Sequence, residues 1–130
     1  MSEVLAQLEK KGGGDMSETV LWTNPNPTSG FSATTVTLSQ AVTDFKFFKY
    51  VYRVSTTDST IYSIIMSVED FVNSVSSKSR FCAMCSIGSQ HVRALNYISP
   101  TSFQVELAYK VNSVGTTNTA AIPQAFIGLK

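Results

Sequence analysis

Phe103-Gln104-Val105-Glu106-Leu107-Ala108-Tyr109-Lys110-Val111 sets large apolar side chains against polar or small ones at every second position. A period of two places alternate side chains on opposite faces of an extended chain, so this stretch predicts a strand with one face on a core and one in water. Phe48, Tyr50, Tyr52 and Val54 alternate in the same way with Phe47, Lys49, Val51 and Arg53. In that second strand the outer set is itself amphipathic, which suits a second sheet or a neighbouring subunit. Working outward, Val20 to Thr23, Thr34 to Ser39, Thr60 to Val68, Arg80 to Ile87, Val92 to Ile98 and Ala125 to Leu129 complete about eight strands, the number of a jelly roll. The breaks carry turn chemistry. Asn24-Pro25-Asn26-Pro27-Thr28-Ser29-Gly30 cannot support a ladder, because proline removes a donor and restricts the residue before it. Thr57-Asp58-Ser59 predicts a hairpin tip, and Glu69 to Lys78, Gly88 to Gln90, Ser99 to Ser102 and Gly115 to Thr119 are expected loops. The expected fold is all-β: an antiparallel, jelly-roll-like sandwich over residues 20–130.

The N-terminal segment has a different pattern. Ser2 can cap a short helix over residues 1–11, Val4, Leu5 and Leu8 share one face, and Lys10 and Lys11 meet the negative end. A helix this short is below the ~12 to 15 residues needed for stability alone in water, so it must dock to persist. Gly12, Gly13 and Gly14 follow as a hinge within a linker over residues 12–19. The bland alternative is a frayed terminus; the sharper one is an anchor, with Val4, Leu5 and Leu8 as its contact stripe.

Composition limits the function. The chain has 130 residues and a mass of 14.1 kDa, room for one domain and a short appendage. Charged residues make up 15%, against roughly 25% in typical soluble chains, and Ser, Thr and Asn take their place. A net charge of +1 gives no field to attract nucleic acid or an anionic membrane. No apolar run reaches the ~18 residues needed to cross a bilayer, and no signal-peptide pattern opens the chain. Synthesis in a cytosol without Sec routing is the expectation.

No set of residues predicts catalysis. Cys82 and Cys85 have the spacing of half a zinc site, but a structural zinc takes four ligands and His91 is the sole histidine. Buried thiols without metal or cofactor are expected. His91 has no nucleophile signature beside it. Glu69 and Asp70 are adjacent carboxylates on an expected loop, not the facing pair of a glycosidase. Lys46, Lys49 and Arg53 lie among Phe45, Phe47, Tyr50 and Tyr52, a basic and aromatic strip suited to single-stranded nucleic acid only if both sets share a face; alternation divides them, so nucleic acid is not an expected partner. Trp22, Tyr62 and Tyr97 are candidate sugar-stacking rings if exposed, with core packing as the default.

Two segments carry more. Val20-Leu21-Trp22-Thr23-Asn24-Pro25-Asn26-Pro27-Thr28-Ser29-Gly30-Phe31 resembles the "LWTNP-x-PTS-x-F" opening of a domain found in tail-fibre, baseplate and head-fibre proteins of phages and prophages. Val36 and Leu38, then Tyr50 and Tyr52, resemble that domain's "V-x-L" and "Y-x-Y" strands. The terminus Ile122-Pro123-Gln124-Ala125-Phe126-Ile127-Gly128-Leu129-Lys130 is similar to its "IP-x-x-I-x-GIK" ending, with different spacing before the glycine. The segment from Glu69 to Gln90 matches no part of that pattern. The resemblance implies a bacteriophage virion structural protein, without catalytic residues, either head fibre, capsid decoration or tail accessory. Such domains usually end longer fibre proteins; here the short helix and triglycine stand where a shaft would be. The expected partners are phage capsid or tail proteins through the N-terminus and further copies of the chain. Self-association follows from the aromatic and aliphatic side chains on both faces of Phe47 to Arg53, of which a sandwich of this size can hide only one face. Three-fold symmetry follows from the resemblance alone. The alternative is a module that binds a host receptor or surface glycan.

Overall fold

The computed structural model describes residues 17–77, 81–87, 89–110 and 115–130, with the backbone alone for 74–77, 81–87 and 89–90. In chain order these form β1 (Glu18–Thr23), β2 (Thr34–Thr37), a 3-10 turn (Val42–Asp44), β3 (Phe47–Ser55), β4 (Ile61–Ser67), α1 (Val68–Ser77), β5 (Phe81–Ile87), β6 (Ser89–Ser99), β7 (Ser102–Lys110), β8 (Thr116–Thr117) and β9 (Ala120–Leu129). The strands make two antiparallel sheets. One runs β1-β9-β3-β4; the other runs β2-β7-β6-β5, with β8 added beside β7. The all-β sandwich expected from the alternation is therefore present.

The core lies between the sheets and is strongly aromatic. Phe48, Tyr50 and Phe126 come from the four-stranded sheet, Phe103 from the other, and all four are fully buried. Ring centroids are 5.3 Å apart for Phe103 and Phe126 and 5.6 Å for Phe48 and Phe103, near-contact packing across the two layers. The inward set of β3 is the one its period predicts: Phe48, Tyr50, Tyr52 and Val54 are buried, while Phe47 is exposed and Lys49, Val51 and Arg53 half-buried. At the β3–β4 hairpin, the Asp58 carboxylate accepts from the Thr60 amide (3.0 Å) and hydroxyl (2.7 Å), which closes the tip as an Asx turn.

The two-residue β8 falls within the loop expected over Gly115 to Thr119, where Thr116 and Thr117 pair with Tyr109 and Ala108, and four further elements differ from the sequence reading. The first is Val68–Ser77, expected as loop and found helical. Val68, Phe71, Val72 and Val75 repeat at helical spacing, Glu69 and Asp70 occupy the first turn, and the Ser67 hydroxyl accepts from the Asp70 amide at 3.3 Å as an N-cap. Phe71 seats this helix over one end of the core, 4.8 Å from Phe103 and 5.0 Å from Phe48 by ring centroid. The second concerns β7. Its register against β6 slips between Arg93 and Leu95, so Ala108 is buried and Tyr109 exposed, and the alternation begun at Phe103 changes face at Glu106 and Leu107. The third is β6, which starts at Ser89 rather than Val92: Ser89 and Gln90, expected as loop, pair with Ile87 and Ser86. The fourth is β9, which begins at Ala120 rather than Ala125. Pro123 is tolerated because β1 has already left: the last β1–β9 pair is Thr23 with Ala125, and a bulge opposite Val51 and Tyr52 takes up Gln124. The expected anchor helix with Val4, Leu5 and Leu8, and the hinge Gly12 to Gly14, lie outside the described residues.

Candidate functional site

The outer face of the four-stranded sheet is built from the positions that alternate with the core. Along one row, Val20 of β1 pairs with Ile127 of β9, which pairs with Lys49 of β3, which pairs with Ile65 of β4. Leu129 and Phe47 flank it on one side, Ala125 and Val51 on the other. Val20 is 54% exposed, Phe47 45% and Ile65 58%, so three large apolar side chains on three strands stand in water together. Exposed apolar side chains scattered singly need no explanation, but a contiguous set on one sheet face does. The charges on this face are few and largely satisfied. Lys49 reaches across β9 to Glu18 at 2.6 Å, and Arg53 donates to the Ser55 and Thr56 carbonyls at 2.8 and 3.3 Å. Such a surface is easy to desolvate.

Concavities lie beside that face as well. A cleft of about 560 Å³ lies between the 3-10 turn, the start of β3 and α1, lined by Phe45, Lys46, Phe47, Glu69 and Val72 among others. Another, of about 360 Å³, lies beside the β1–β2 loop, where Trp22, Asn24, Asn26, Phe31 and Thr35 contribute to the wall. Trp22 is half-buried, with Phe126 at 5.3 Å and Phe31 at 5.9 Å. Tyr62 sits on β4 against Tyr52 and is largely exposed, and Tyr97 packs edge-on to Phe71 under the helix. The three candidate sugar-stacking rings are therefore on separate parts of the sandwich, and Trp22 lines the second cleft. The basic and aromatic strip is divided likewise, with Tyr50 and Tyr52 in the core and Lys49 and Arg53 outside.

Cys82 and Cys85 lie on β5, opposite Ala94 and His91. Among the described residues no group of three or more His, Cys, Asp and Glu side chains is placed to hold a metal, and no helix is long and apolar enough to cross a membrane. Glu69 and Asp70 are exposed at the start of α1, where carboxylates complement the helix dipole.

The sequence reading missed Arg93. Its side chain is fully buried, and its guanidinium donates to the carbonyls of Phe31 (2.9 Å), Glu106 (2.8 Å), Ala120 (2.8 Å) and Asn118 (3.5 Å). It ties the β1–β2 loop, the β7 bulge and the entry to β9 to one point, with the Phe31 ring 5.7 Å away. The signal was an arginine set in Val92-Arg93-Ala94-Leu95, where every neighbour is buried.

The resembling end segments are neighbours in space. Leu21 is in the core, β1 pairs along β9, and the Asn24 side chain donates to the Pro123 carbonyl at 2.7 Å while accepting from the Asn26 amide at 2.8 Å. Compared with protein-family models and with curated proteins, the chain matches none.

Proposed function

We propose that this chain is a non-enzymatic structural protein of a bacteriophage particle, a head fibre, capsid decoration or tail accessory, in which residues 1–11 attach to the virion and the sandwich projects. In this reading the sandwich associates with further copies of itself through the exposed side of its four-stranded sheet. The observation that carries it is the apolar, charge-poor outer face around Val20, Phe47 and Ile65. A contiguous patch of this kind marks a surface that is covered in the working assembly. Three-fold symmetry is the stoichiometry that the fibre resemblance suggests. The jelly-roll-like description is supported by the pairing of strands far apart in sequence, β1 with β9 and β2 with β7, although the β3–β4 hairpin and the β5-β6-β7 meander keep successive strands within one sheet. Deleting residues 1–14 should leave the sandwich folded and remove the protein from particles. Particles that keep the truncated chain at full occupancy overturn the anchor.

A second reading, recognition of a host surface glycan, is favoured by the cleft beside Trp22, where an aromatic face meets the polar side chains of Asn26 and Thr35. On a glycan array the full chain should then show saturable binding that Asn26→Ala and Thr35→Ala abolish. Binding indifferent to both changes removes this cleft from consideration.

A further inference from the structure

The four-stranded sheet ends at β4, and among the described residues no strand pairs with that edge. Its sequence, Ile61-Tyr62-Ser63-Ile64-Ile65-Met66-Ser67, has no charge, proline or glycine, and its pairing with β3 runs without a bulge. Those are the devices by which natural sheets keep an edge from pairing with another chain. The other edges whose side chains are described do carry protection. On β1, Glu18 is charged and the register breaks between Val20 and Trp22; β2 is only four residues long. On β4, by contrast, Ile61, Tyr62 and Ile65 are all largely exposed.

The direction of the free backbone groups follows from the ends of the hairpin. The Val54 amide donates to the Thr60 carbonyl and the Val68 amide to the Lys46 carbonyl, each at 2.9 Å. Alternation in an antiparallel ladder then gives Tyr62, Ile64 and Met66 to β3. It leaves the amides and carbonyls of Ile61, Ser63 and Ile65 pointing away from the sheet, with no partner among the described residues.

We infer that β4 pairs antiparallel with β4 of a second copy, joining two four-stranded sheets into one. The inference rests on the proposed self-association, but places it at the β4 edge of that sheet rather than on its outer face, and at two copies rather than three. The occupant is a second copy because β4 is complementary to itself. With the two-fold axis at Ile64, Ser63 of one copy lies opposite Ile65 of the other and Ile61 opposite Ser67, so each outward pair sets a large side chain beside a small one. The same register brings the free backbone groups of Ser63 and Ile65 face to face as a hydrogen-bonded pair, and no like charges meet. A contact of β4 with itself is isologous and closes at two copies, whereas a ring of three needs β4 to meet a different element.

The test is light scattering and native mass measurement on the full chain from about 1 to 100 µM, the range of a small interface. Wild type should be dimeric at the upper end. Ser63→Pro removes only an outward-facing amide, so it should yield a monomer with an unchanged far-ultraviolet spectrum. Ile65→Lys, which sets charge into the seam, should do the same, and Ile98→Lys on the other sheet should remain dimeric. Should the proline variant fail to fold, amide exchange in wild type serves instead: Ile61, Ser63 and Ile65 amides must gain protection with concentration. A dimer or trimer indifferent to Ser63→Pro and Ile65→Lys overturns the β4 seam and leaves self-association standing. A wild-type monomer throughout the range overturns both.

Discussion

Arg93 and Gly128 show how much of this sandwich depends on single residues that composition does not single out. Burying a guanidinium costs several kcal/mol unless its donors are satisfied, and here carbonyls from three parts of the chain accept from its two terminal nitrogens, Nη1 and Nη2. Arg93→Met should therefore destabilise the fold by about 3–5 kcal/mol, since carbonyls that lose a donor each cost about 1–3 kcal/mol. Urea midpoints would measure this, and a loss under about 1 kcal/mol would mean the carbonyls find other donors. Gly128 is a question of space. A Cβ there would sit 2.7 Å from the Phe45 ring, which is buried against β9. Gly128→Ala should cost about 1–3 kcal/mol by overpacking, measured in the same way. Neither role was legible in advance, because a buried arginine and a space-making glycine look in sequence like any other arginine and glycine. The terminal glycine was noticed only through a resemblance.

Among the elements, β3 was legible and α1 was not. Alternation in β3 is strict and its partners on both sides are strands, so the period translated directly into burial. The helix is ten residues long and rich in valine and serine, which have weak helix propensity. It is held by Phe71 in the aromatic core, a tertiary contact that no local pattern displays. Its stripe at Val68, Phe71, Val72 and Val75 was available and was outweighed by the polar residues between. Ser67→Ala should lower stability by about 0.5–2 kcal/mol through loss of the N-cap, with reduced helical signal near 222 nm as the expected sign. The β7 bulge was hidden for another reason: alternation describes one strand, and a bulge depends on the register of its partner.

The β3–β4 turn carries a pH dependence. In the folded chain the Asp58 carboxyl is held below its ordinary value of 3.8, first by the Thr60 hydroxyl and then by the Thr60 amide, with Arg53 adding a smaller electrostatic pull. Folding thus favours the charged form. The contribution is complete above the ordinary carboxylate value and is lost as pH falls through the depressed one. Titration of the Asp58 side chain by NMR should give a midpoint under 3.8, and the Thr60 amide should follow the same curve. A midpoint at or above the ordinary value contradicts the turn geometry.

At the scale of the molecule, the sandwich and its strand inventory were read from period and turn chemistry, while the order of strands within the sheets was not. Pairing of β1 with β9 joins opposite ends of the chain, and local alternation contains nothing about partners so far apart. The same limit applies to function. The amphipathic outer set of β3 predicted a face suited to a partner, and Val20 of β1, Ile65 of β4 and Ile127 of β9 add apolar side chains to that face. The proposed role of this protein is as a component of a phage particle. Peptide mass spectrometry on gradient-purified particles of the phage or prophage encoding it tests that most directly. The chain should be present at a fixed ratio to the major capsid protein through successive gradients. Its absence from particles while abundant in the lysate would contradict the account.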